Sequence, residues 1–164
     1  MQPLHHRPMS AAVDPLPAGA PCEAGQGLLL WALRIWAAGR REEEDALPDV
    51  RAAFEARGIG EAFVALRELL FIAGQSASRS LDLAAPGAVR RSADERCLQN
   101  AIRHAGGGDL DACRRCLAML LCPLGARTAL LPAWCLARAL AGLASAGPAD
   151  VPERRLSLVG APAR

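Results

Sequence analysis

Apolar residues recur along this chain at helical spacing, in segments that glycine and proline separate. The first segment is the most apolar, since residues 27–36 read GLLLWALRIW and are hydrophobic on nearly every side. Such a helix is typical of a central position in a bundle, and we expect it to run from about Ala24 to Arg41. Its one interior charge, Arg34, has two interpretations. We favour a side chain that reaches the surface along its apolar stem; the alternative is a buried anion-binding group.

Start and stop signals predict five further helices. Pro48 begins the second, and Gly58 ends it. Ser92 and Glu95 form an S-x-x-E capping box, which is the clearest helix start in the chain. The predicted ranges are 48–57, 59–77, 92–106, 109–122 and 126–146, with Pro123 as the end of the fifth helix. Pro132 is expected either to lie near the start of the sixth helix or to kink it. The apolar face of the third helix is Phe63, Leu66, Leu70 and Ala73, joined by Leu69 and Ile72; the sixth presents Leu130, Leu131, Trp134, Leu136, Leu140 and Leu143.

These patterns predict an all-α fold, a single-domain bundle of five to six helices over residues 25–147. Alanine and leucine dominate the apolar set, whereas β-branched and aromatic residues are scarce, and this favours helix over strand. The proline-rich residues 1–24 and the unpatterned residues 148–164 are expected to be disordered tails.

Composition narrows the choice of partner and compartment. Every basic residue is arginine, which suggests a GC-rich bacterial genome, and the net charge is only +2. Residues 1–82 carry a net charge of −3 and residues 83–164 a net charge of +5. A basic second half could favour an acidic partner or nucleic acid, but the asymmetry is modest, and we interpret it as a solvated surface. No apolar run reaches the roughly 18–20 residues of a membrane span, and no signal peptide is evident. We expect a cytoplasmic protein with reduced thiols.

Motifs of catalysis and nucleic-acid recognition are missing. The sequence has neither G-x-S-x-G nor H-E-x-x-H. The run Gly106–Gly108 could cradle a phosphate before a helix, but Asp109 and Asp111 place negative charge there, so we interpret it as a turn with Asp109 as the following cap. Residues 50–69 have a helix-turn-helix outline, yet the second helix offers few side chains that could read bases. This argues against nucleic-acid binding.

Four residues keep a chemical alternative open: Cys97, His104, Cys113 and Cys116. Cys113 and Cys116 share one face of the fifth helix, and Cys97 and His104 share a face of the fourth. If the two helices pack antiparallel across the glycine turn, the four side chains could converge on zinc, or the thiols could respond to redox conditions. Their spacing matches no zinc-finger pattern, and buried cysteine commonly acts as a small apolar residue. We favour structural thiols.

The sequence therefore predicts a non-enzymatic helical protein that acts as a protein-interaction or regulatory module, binding a protein partner or itself. It predicts no cofactor. The alternative is a metal-binding or thiol-redox-responsive protein that uses the Cys/His group of the fourth and fifth helices.

Overall fold

The computed structural model describes residues 23–143, and within them the chain forms seven α-helices and no strand. Helix accounts for 72% of these residues, which confirms the predicted all-α fold. The helices are α1 (Glu23–Glu42), α2 (Leu47–Glu55), α3 (Gly60–Ser76), α4 (Ala93–Gly106), α5 (Leu110–Ala118), α6 (Pro123–Thr128) and α7 (Leu130–Ala141). Two parts of the chain lie outside the described residues. The first is residues 1–22 of the predicted N-terminal tail. The second is residues 144–164, which comprise the end of the predicted helical domain, 144–147, and the whole predicted tail 148–164.

The predicted turn and cap residues set the hairpin of α4 and α5. The Ser92 hydroxyl accepts from the Glu95 backbone N–H at 3.0 Å, and the Glu95 carboxylate accepts from the Ser92 N–H at 2.9 Å, which completes the capping box. Gly108 makes the turn after α4 at a φ of +81°, a backbone conformation that glycine adopts without strain. The Asp109 carboxylate then accepts from the Ala112 N–H at 2.9 Å and caps α5.

The C-terminal helices are divided differently from the prediction. α5 ends at Ala118, and Pro123 begins α6 instead of ending α5; proline fits a first helical position because the N–H that it lacks would have no partner there. The single helix predicted for residues 126–146 is interrupted at Ala129. Pro132 accounts for the interruption, because it has no N–H to donate to the carbonyl of Thr128 four residues earlier.

α7 lies at the centre of the bundle. This helix packs against α1, α3, α4, α5 and α6, whereas α1, which we expected at the centre, packs against α2, α4 and α7. Ala133 and Ala137 of α7 are fully buried, and their small side chains let neighbouring helices approach closely. Among residues 23–143, no helix has the length and apolar content needed to cross a membrane.

Two backbone hydrogen bonds join the end of α3 to the segment that leads into α6. The Ser78 N–H donates to the Leu120 carbonyl at 3.0 Å, and the Cys122 N–H donates to the Ser76 carbonyl at 2.7 Å. Gly125 of α6 lies so close to Ser76 that a Cβ at this position would overlap the serine side chain. Backbone pairing and close packing therefore fix α6 on α3.

Candidate functional site

Arg34 is buried, so the interpretation that we favoured for its charge is wrong. It is 6% exposed, and its guanidinium meets the carboxylate of Glu95 at the start of α4. Nε donates to Oε1 at 2.8 Å and Nη2 donates to Oε2 at 3.0 Å, a two-point geometry that is stronger than a single neutral hydrogen bond. The anion that Arg34 binds is the protein's own glutamate.

The same two side chains hold the loop that connects α3 to α4. This loop, residues 77–92, has no helix, so its backbone groups need other partners. Arg34 donates to the carbonyl oxygens of Ala88, at 2.5 Å, and Arg90, at 3.0 Å. Glu95 accepts from the backbone N–H groups of Ala84, at 3.0 Å, and Ser92, at 2.9 Å.

A second ion pair fixes the first part of the loop. Arg79 donates from both of its Nη atoms to the Asp94 carboxylate, at 2.6 and 2.7 Å, and the Asp82 N–H donates to the same carboxylate at 2.8 Å. We call the side chains of Arg34, Arg79, Asp94 and Glu95 the ion-pair cluster. Two arginines and two carboxylates thus anchor the loop to α1 and α4.

The ion-pair cluster keeps both carboxylates ionised. Burial acts to raise the pKa of Glu95, but hydrogen bonds from Arg34 and from the loop backbone outweigh it, so the pKa lies below its ordinary value. Hydrogen bonding by Arg79 likewise lowers the pKa of Asp94. Glu95 accepts four hydrogen bonds and is 0% exposed, so it has no lone pair left for a substrate. The cluster is therefore a structural device.

The cysteine candidates lie along the seam between α4 and α5. Cys113 is fully buried, Cys97 and Cys116 are half-buried, and the Cys97 thiol donates to the Cys116 carbonyl oxygen at 3.1 Å. His104 lies in the last turn of α4, seven residues and about 10 Å along the helix from Cys97. Within residues 23–143, no group of three or more His, Cys, Asp or Glu side chains is placed to hold a metal ion. Cys97 therefore contacts Cys116, but within residues 23–143 the four candidates do not form a metal-binding site.

Burial also lowers the reactivity of these thiols. It raises the pKa of Cys97 to about 11 and that of Cys113 to about 12. The thiolate is the form that binds metals and attacks disulfides. Both side chains are therefore protonated at neutral pH, which supports the interpretation of the seam cysteines as apolar packing residues.

An apolar groove with a volume of about 890 Å³ lies between α1, the start of α2, α3 and the α6–α7 segment, and our sequence analysis did not predict it. Its apolar lining consists of Trp36, Leu47, Leu70, Phe71, Ile72, Leu131 and Pro132. Phe71 is 68% exposed and Leu131 is 67% exposed. Large apolar side chains gathered in an exposed concave surface with a polar rim are typical of a binding site.

Phe71 stands on the polar side of α3. It lies outside the apolar face predicted for that helix, and its neighbours one turn away are Arg67, Glu68, Gly74 and Gln75, which all line the groove. A large aromatic residue among polar helix neighbours was the available sequence signal. Leu131 carried no such signal, because periodicity assigned it to the apolar face of the last helix.

The charges at the groove are mostly positive. Arg40 and Arg67 line it, and within residues 23–143 Glu68 is the only acidic lining residue. Among residues 23–143, no carboxylate forms an ion pair with either arginine. On the outer side of α7, the Arg138 guanidinium lies 5.2 Å from the centre of the Trp134 ring, a cation–π contact that holds a further positive charge on this helix.

Comparison with known proteins returned no match: no family model, no curated protein and no solved structure is detectably similar to this chain. We therefore infer the function from the groove, the ion-pair cluster and the cysteine seam.

Proposed function

We propose that this protein is a non-enzymatic interaction module that binds a protein partner in the apolar groove. The observation that carries the proposal is the exposure of Phe71 and Leu131 on neighbouring walls of one concave surface. Burying a side chain of this size stabilises a complex by about 1.5–3 kcal/mol. A partner that covers both would gain that free energy, and aromatic anchors of this kind often dominate protein interfaces.

The chemistry of the interior supports a non-enzymatic role. The buried carboxylate of Glu95 is fully hydrogen-bonded within the chain, and the thiols of the half-buried Cys97 and the buried Cys113 are protonated at neutral pH. The alternative, a metal- or thiol-redox-responsive protein, has less support, because the raised thiol pKa values oppose both functions.

We assign the module to the bacterial cytoplasm on two grounds. The basic residues are all arginine, as GC-rich bacterial genes favour. The five cysteines of the described residues are free thiols, which suits a reducing compartment.

The test is co-purification with the wild-type protein and two variants. Phe71→Ser combined with Leu131→Ser removes the exposed anchors of the groove, whereas Met119→Ser removes an equally exposed side chain, 71% accessible, at the end of α5 and outside the groove. We expect a stoichiometric partner with the wild type and with Met119→Ser, and its loss with the groove variant. Capture of the same proteins by all three, or of no stoichiometric partner by any, would contradict the proposal.

A further inference from the structure

We infer that the segment bound in the groove is an amphipathic helix with acidic side chains beside its apolar face. This inference rests on the proposed function and adds the chemistry of the partner. It follows from the shape of the groove, from its charge and from the arrangement of its apolar side chains.

The groove has the form of a trough between helices. On α3 its lining includes Arg67, Phe71, Gly74 and Gln75, positions that recur at intervals of three to four residues along one face. These positions extend over nine residues, about 12 Å of helix axis. A helix laid in such a trough can insert side chains from successive turns, which is a common mode of peptide recognition.

On two walls of the trough, an aromatic residue and an arginine lie one helical turn apart. Phe71 lies one turn beyond Arg67 on α3, and Trp36 lies one turn before Arg40 on α1. Each of these two walls therefore pairs an aromatic side chain with an arginine. A ligand that matches both walls needs an apolar stripe with negative charge beside it.

The charges next to the groove are mixed. Residues 122–143, which contain α6 and α7, include no aspartate or glutamate, whereas four exposed acidic residues, Glu42 to Asp45, follow Arg40 and Arg41 on the opposite side. The preference for an acidic segment therefore rests on the two arginines that line the groove, Arg40 and Arg67, which attract acidic side chains at short range and disfavour basic ones. Among the described lining residues, Glu68 is the acidic residue that opposes it.

Two other occupants fit less well. A second copy of this chain, docked symmetrically through the same face, would place the arginines of one copy near the like charges of the other. A lipid surface suits a convex amphipathic face, whereas Phe71 and Leu131 line a concave trough. An acidic helix satisfies both the shape and the charge.

The experiment selects ligands for the full-length protein from a displayed library of 20-residue segments in which apolar residues are fixed at helical spacing and all other positions vary. We expect the selected segments to be net acidic. Their affinity should fall at least 10-fold with Phe71→Ser and about 10-fold with Arg40→Glu combined with Arg67→Glu, a loss that added salt reduces.

The matched control is Arg103→Glu combined with Arg115→Glu. Both arginines are exposed on α4 and α5 outside the groove, and the substitutions change the net charge by the same amount. Affinity for the selected segments should stay within about threefold of wild type, because distant surface charges are screened over roughly 8–10 Å.

The outcomes separate this inference from the proposed function. Segments without an acidic excess that still depend on Phe71 would overturn the acidic helix and leave the groove as a protein-binding site. Segments indifferent to Phe71→Ser, or no selected segments at all, would overturn both. Binding to phosphatidylglycerol vesicles that Phe71→Ser abolishes would assign the face to a membrane and overturn the inference.

Discussion

The ion-pair cluster and the apolar groove depart in opposite directions from the usual distribution of side chains in a folded protein. The cluster places charge inside, where an unpaired ion would be strongly destabilising. The groove places Phe71 and Leu131 outside, where each contacts water. In the cluster, the free-energy cost of burying charge is offset within the chain, because the charges are paired and hydrogen-bonded. In the groove, the free-energy cost of exposing apolar side chains to water is not offset within the described residues, and a partner would supply the missing contacts.

The difference separates a region whose polar groups are satisfied within the chain from one that leaves apolar side chains exposed. A polar group that accepts all its hydrogen bonds from the chain has little to offer a ligand, however unusual its burial. The cluster contributes order instead, since Arg34 and Glu95 hold a 16-residue connection, residues 77–92, against α1 and α4. We therefore expect substitutions in the cluster to change stability and substitutions in the groove to change binding.

The largest expected effect on stability is that of Glu95→Ala. Removing this carboxylate leaves Arg34 charged and buried with no counter-ion, and breaking a buried pair in this way costs about 3–5 kcal/mol. Urea denaturation followed by circular dichroism measures the change. The matched control is Glu55→Ala, which breaks the exposed pair of Arg51 and Glu55 and should cost no more than about 0.5 kcal/mol. Equal losses for the two variants would remove the structural role of the cluster.

A smaller effect is expected where α6 supports the wall of the groove. Gly125→Ala should destabilise the protein by about 1–3 kcal/mol, because the new methyl group overlaps Ser76. Gly74→Ala is the contrasting variant, since Gly74 lies within α3 with no atom near its added Cβ, and alanine there should stabilise the helix by about 0.5–1 kcal/mol. The same denaturation experiment applies, and a stabilising Gly125→Ala would show that α6 does not pack on α3 as described.

Acid should weaken the cluster before it affects the groove. The pKa values of Asp94 and Glu95 are lower in the folded protein than their ordinary values of 3.8 and 4.5, so the unfolded chain binds more protons in this range. The stabilisation is complete above about pH 4.5 and is lost as the pH falls through the lowered values. Thermal unfolding between pH 7 and pH 3 measures it. The decline should be shallower in Glu95→Gln; an equally steep decline would place the acid sensitivity elsewhere.

Thiol labelling tests whether the interior beside the cluster is closed. Raising a thiol pKa by two units leaves about 100-fold less thiolate at neutral pH, so Cys97 and Cys113 should react with a disulfide reagent far more slowly than the exposed Cys122 and Cys135. Mass spectrometry of the labelled peptides distinguishes the sites. Labelling of Cys97 at the rate of Cys122 would show that the seam opens readily and would revive the thiol-redox alternative.

Local signals made much of the fold predictable from the sequence. Ser92, Glu95, Gly108 and Asp109 act through neighbours in the chain, so spacing alone was sufficient to place the hairpin of α4 and α5. Pro132 was harder to interpret, because its missing N–H divides a continuous apolar pattern into α6 and α7.

The features that bear on function depend on long-range contacts. Arg34 and Glu95 are separated by 61 residues, and no periodicity connects them. Leu131 has the spacing of a core residue, and only the packing of α7 leaves it outside. Of the candidate cysteines, spacing predicted a shared seam, but the distance between thiols and histidine depends on how α4 and α5 pack.

Among the substitutions described above, Phe71→Ser should combine a very small change in stability with a large loss of partner binding. This variant therefore tests the contrast between the cluster and the groove most directly. Unfolding free energy and affinity for a partner segment are measured on the same preparations of wild type, Phe71→Ser and Met119→Ser. We expect Phe71→Ser to stay within about 0.5 kcal/mol of the wild-type unfolding free energy, as surface substitutions do, and to lose at least 10-fold in affinity, while Met119→Ser changes neither. A large loss of stability with unchanged affinity would show that Phe71 serves the fold and that the groove is not the binding site.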